Sequence, residues 1–151
     1  MSENHSFMSA PIVIPLDFWL DPQGDVILIY SEHECLIYCA CWISAGERAD
    51  FIGQLSFERG RGVRSYRREY LPYDLPKRGF HSSILQIPDS DLIREHLAYR
   101  KKHYADTPST QRVPNHYVVT GHDIYHEILA YGFTASTILR RDTTDPRLLR
   151  L

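Results

Sequence analysis

No apolar run in this chain approaches the ~20 residues that a membrane-spanning helix needs. The longest, VILIY and CLIYCACWI, stop well short. The first ten residues, MSENHSFMSA, hold no basic residue and lead into no long apolar stretch, so the parts of a secretory signal are missing. Charge of one sign is also missing: the net charge is −2 and the pI is near 6.4. No global field calls for nucleic acid or a membrane surface. The expectation is a soluble, cytoplasmic chain.

Cysteine is scarce. Cys35, Cys39 and Cys41 crowd into seven residues, an odd number and a poor disulfide framework. No second cysteine pair exists to complete a metal cluster. Reduced core thiols are expected. Sequence signatures of chemistry are scarce as well. There is no Gly-x-Ser-x-Gly elbow. The turn RGRG at 59–62 lacks the spacing and the Lys-Ser/Thr ending of a phosphate loop.

What remains is an ordinary globular composition, 43% hydrophobic and 24% charged over 151 residues, enough for one self-sufficient core. The division expected is a flexible N-terminal tail at 1–10, one α+β domain at 11–141 and a C-terminal tail at 142–151. VILIY, CLIYCACWI, FIGQLSFE and VRSYRREYLPY read as an antiparallel meander from about residue 26 to 72. The stretch from Cys35 to Ile43 is apolar on both faces, which calls for cover on both sides. Helices are expected to cover one face, and either the N-terminal segment or the second subunit of a homodimer the other. PDSDLIREHLAYRKKHY reads as a helix capped by Asp89 or Ser90, with Asp91 at its positive end and Arg100 to His103 at its negative end. Leu92, Ile93, His96, Leu97 and Arg100 form one helical stripe.

VVTGHDIYHEILAYGF, residues 118–133, carries helix signals at both ends. Thr120 and Asp123 have capping-box spacing, and Gly132 and Phe133 fit a left-handed C-terminal cap. A helix over 121–131 would put His122 and His126 on one exposed face. With strands before and after, it would form a strand–helix–strand crossover. The fold expected is therefore α+β, an antiparallel meander sheet of about five to six strands with two main helices packed on it.

Two features could carry function. Arg59, Arg61, Arg64, Arg67, Arg68, Lys77 and Arg78 face only Glu69 and Asp74, with Tyr66, Tyr70 and Tyr73 interleaved. Arginine beside tyrosine suits an anionic partner, and on a strand Arg64, Tyr66 and Arg68 share one face. The leading reading is a non-enzymatic binding or adaptor protein without cofactor. It would recognise a protein or other anionic partner through Arg59, Arg61, Arg64, Tyr66, Arg67 and Arg68. The alternative is a metal-dependent hydrolase holding zinc on His122 and His126, with His81, His96, His103 or His116 as further ligands. A small nucleic-acid-binding protein is a third reading, disfavoured by the net negative charge.

Overall fold

Residues apolar on both parities must be buried between two layers, and the chain achieves this with sheets rather than helices. The computed structural model describes residues 10–74, 82–105 and 112–151. In chain order the strands are β1 (Ile12–Pro15), β2 (Trp19–Leu20), β3 (Val26–Tyr30), β4 (Cys35–Cys39), β5 (Cys41–Ser44), β6 (Glu47–Arg48), β7 (Phe51–Phe57), β8 (Gly62–Tyr66) and β9 (Ser83–Gln86). The helix α1 (Asp91–His103) follows, then β10 (Asn115–Thr120), β11 (Tyr125–Ala130) and β12 (Phe133–Leu139). Sheet I has the order β1-β9-β10-β11-β8, sheet II β12-β7-β4-β3, and a small sheet III β2-β5-β6. Every pairing is antiparallel.

Sheets I and II bury their facing residues against each other. Cys35, Ile37, Cys39, Leu55 and Phe57 of sheet II meet Ile84, Tyr117, Val119, Ile128 and Ala130 of sheet I. The opposite face of β4, with Leu36 and Tyr38, is covered by Leu148 and Leu151 of the chain's own C-terminal segment. That covering removes the reason for expecting a partner subunit on this face. All three cysteines are free and buried. Burial pushes the Cys35 and Cys41 thiols up to about 11, so they stay protonated at neutral pH.

The expected α+β fold with two helices on one meander sheet is corrected by this arrangement. The protein is mostly β, with three sheets and, among the described residues, one α-helix. The meander holds for β3, β4 and β7 and then breaks, because β8 leaves sheet II to pair with β11 in sheet I. The stretch 35–43 divides at Ala40 between sheets II and III. The second expected helix is absent: 115–130 is the hairpin β10–β11, closed by a Gly121 N–H to Ile124 carbonyl bond of 2.7 Å. The strand–helix–strand crossover goes with it. Helix α1 forms as expected, with the Ser90 hydroxyl accepting the Ile93 N–H at 3.2 Å.

The change of sheet happens at one corner. β7–β8 and β11–β12 run as a bent two-stranded ribbon from sheet II into sheet I. Glu58 bonds Tyr131 and Gly132 through its backbone, and the Arg61 N–H bonds the Leu129 carbonyl. Between these contacts residues 59–61 face 130–131, one residue too many on the first side. This is a β-bulge, which bends the ribbon. Arg59 takes the left-handed conformation there, with φ of 49°.

Close packing between the sheets sets a tight limit at Gly53 on β7. A Cβ there would lie 2.5 Å from the Phe18 ring. Gly53→Val should therefore lower the unfolding free energy by about 1–3 kcal/mol, the usual range for overpacking. Urea denaturation of the variant against wild type measures it, and an unchanged midpoint would contradict the packing described.

Candidate functional site

Strand parity, not helical spacing, places the side chains of the opening stretch. On β11, His126, Ile128 and Ala130 point between the sheets, while Tyr125, Glu127 and Leu129 point outward from sheet I. His122 lies in the hairpin turn, exposed, with Nε2 3.7 Å from Asp123. His126 is buried, and its Nδ1 is 2.6 Å from the Ser65 hydroxyl. Burial moves its imidazole below the ordinary range. The two histidines thus do not form the helical pair that the zinc reading rests on. Among the described residues no group of three or more His, Cys, Asp or Glu side chains could hold a metal ion. His81 lies outside the described residues.

The residue that matters on β11 is Glu127, which is 1% exposed. Its carboxylate accepts from Arg64 Nε on the facing β8 strand at 2.6 Å, from the Tyr73 hydroxyl, and from His116 Nε2 on β10 at 3.1 Å. Burial alone would raise this carboxyl, but the hydrogen bonds from His116, Arg64 and Tyr73 outweigh it and hold it at about 2. Nε2 of His116 donates to the carboxylate, and its Nδ1 is hydrogen-bonded to the Ser90 hydroxyl at 2.8 Å. That hydroxyl in turn caps α1. The order serine–imidazole–carboxylate has the form of an acyl-transfer triad. Yet Ser90 is 3% exposed and His116 is fully buried, so no substrate reaches them. The relay is structural: it fastens the start of α1 to sheet I.

Fastened there, α1 overhangs the ribbon corner and leaves a cleft of about 760 Å³ beside it. Leu92, His96, Tyr99 and Arg100 line it from the helix; Arg61, Leu129 and Tyr131 line it from the corner. The Arg61 guanidinium sits 5.6 Å from the centre of the Tyr131 ring, and Arg112 sits 5.5 Å from it. Arg100 donates to the Arg112 carbonyl at 3.2 Å. Among the described residues neither Arg61 nor Arg100 has an ion-pair partner. His96 Nε2 is buried and has no hydrogen-bond partner among them. Burial, with Arg100 and Arg61 nearby, pushes this imidazole below its ordinary range.

The arginine segment is scattered by the bulge. Arg64 is turned to Glu127, Tyr66 packs on Tyr125 with ring centres 5.5 Å apart, and Arg68 stacks on Tyr66 at 4.2 Å. Arg67 is exposed beyond the end of β8. Arg59 lines a smaller hollow of about 420 Å³ beside Tyr30 and the acidic turn at 31–34. Only Arg61 reaches the main cleft, and Lys77 and Arg78 lie outside the described residues. Arg61 of the expected binding set and the helical stripe containing His96 and Arg100 were the sequence signals for this cleft. Tyr131 gave none, and His116 was marked only as an outside ligand for zinc.

No protein-family model matches the chain, and the searches of curated proteins and of solved structures found no similar protein. No helix among the described residues is long and apolar enough to cross a membrane.

The depressed Glu127 carboxyl makes stability depend on acid. Its contribution is complete above the ordinary value of 4.5 and is lost as pH falls toward 2. At neutral pH Glu127→Gln should cost about 3 kcal/mol or more, the usual cost of breaking a buried ion pair. Denaturation across this pH range should show the gap between wild type and variant closing with acid; a gap independent of pH would remove the charged anchor.

Proposed function

We propose that the protein is a binding module whose cleft between α1 and the ribbon corner takes a small, phosphorylated, ring-bearing ligand such as a nucleoside monophosphate. The observation that carries this reading is the unpartnered His96 Nε2, set in a concavity with two arginines that have no described carboxylate. Buried polar atoms are nearly always satisfied, and guanidinium groups are suited to phosphate oxygens. The cleft volume lies in the range that small-molecule sites occupy. Tyr99, Tyr104 and Tyr131 line it and offer ring faces for stacking. Glu95, also on its wall, offers an acceptor to a ligand hydroxyl. The anionic partner expected from the sequence is retained. The contact moves to Arg61, because Arg64 and Arg68 are engaged by Glu127 and Tyr66.

Isothermal titration with adenosine monophosphate and with inorganic phosphate tests the reading. The nucleotide should bind more tightly than phosphate alone. Arg61→Ala and Arg100→Ala should each weaken it about tenfold, close to 1.4 kcal/mol, with melting temperature unchanged. No heat with either compound, or affinity indifferent to both arginines, would contradict it.

A further inference from the structure

Sheet II ends on β12, which bonds β7 on one side and, among the described residues, no strand on the other. Free strand edges are templates for pairing, and proteins commonly blunt them with charge, proline or short length. The other edges of the two large sheets carry such devices. β8 bears Arg64, β1 ends in Pro15, and β3 is short and framed by Asp25 and the acidic turn at 32–34. β12 carries none of them: FTASTIL is uncharged, free of proline and seven residues long. Thr134, Ala135, Ser136 and Thr137 are all exposed.

The bonding pattern shows which backbone groups are offered. The Glu58 N–H reaches the Gly132 carbonyl, and the Arg140 N–H reaches Asp50. Narrow and wide pairs alternate along an antiparallel ladder, so Thr134, Ser136 and Ile138 bond toward β7. Phe133, Ala135, Thr137 and Leu139 then turn their N–H and C=O groups outward. The side chains of Ala135 and Thr137 share parity with Phe133, which packs on the core between the sheets. Both are nonetheless exposed, so the inner face of sheet II is left open at this edge.

We propose that β12 is a homodimerisation edge, pairing antiparallel with β12 of a second copy about a two-fold axis at Ser136. This register sets Phe133 opposite Leu139 and Ala135 opposite Thr137, with small residues at the axis and bulky ones at the ends. It makes roughly eight inter-chain hydrogen bonds and opposes no like charges. An axis at Ala135 or Thr137 shortens the ladder. Pairing a strand with its own copy is isologous and closes at two chains; β12 against β3 of another copy would be open-ended. The product is one continuous eight-stranded sheet from two copies of sheet II.

Sedimentation equilibrium over a wide range of protein concentration tests this. Wild type should approach twice the 17.6 kDa of one chain. Thr137→Pro deletes only an outward N–H, so the ladder to β7 survives, and Ala135→Lys places like charges across the pairing. Each should sediment as a single chain with an unchanged far-ultraviolet circular dichroism spectrum, and with a melting temperature that no longer depends on protein concentration. If the proline variant fails to fold, the lysine variant decides. A wild type that stays at one chain mass, a dimer that survives Ala135→Lys, or an open ladder of masses would overturn the proposal.

Discussion

A carboxylate removed from water must be fully bonded or it neutralises, and Glu127 meets that requirement by drawing in four parts of the chain. Arg64 comes from β8, His116 from β10, Tyr73 from the segment after β8, and Ser90 is reached through the imidazole. Each partner is also part of something else. Arg64 sits on an edge strand, and Ser90 caps the helix. The outer face of sheet I therefore has one arrangement rather than several, and α1 has a fixed starting point above it. A half-satisfied network of this kind would be worse than an apolar core.

From that anchor the cleft follows. α1 contributes Leu92, His96 and Arg100 to one wall because its first turn is held at Ser90. The other wall exists because the ribbon bulges at 59–61 and swings Arg61 over Tyr131. Neither wall uses the residues on which fold stability depends most. The site is thus separable from its support: among the described residues Arg61 and Arg100 have no ion-pair partner, and the cation that holds the fold, Arg64, has one.

The fold class was misread as α+β, but several elements were legible, and the failures have physical causes. β-branched and aromatic content identified the cores of β3 and β4, alternation identified that of β7, and the two apolar faces of 35–41 do enter two different clusters. Ser90, Asp91 and the basic last turn of α1 behaved as local rules require. The segment 121–131 misled because β11 is buried on both faces, which erases the alternation that marks a strand. Its Glu, Leu and Ala favour helix, and Gly121 and Gly132 serve a hairpin and a sheet crossing as readily as caps. Tertiary burial overrides such preferences. The error moved His126 to the surface and hid Glu127. The departure of β8 from the meander was equally invisible, since a bulge depends on pairing partners far away in sequence.

Glu127 holds α1 in place through His116 and Ser90. Amide hydrogen exchange on Glu127→Gln against wild type tests it most directly, read at Ile93 and Arg94, whose N–H groups bond Ser90, and at β4 and β7. Protection at the start of α1 should collapse in the variant while the strands of sheet II keep theirs. Equal protection of Ile93 and Arg94 in both proteins would contradict it.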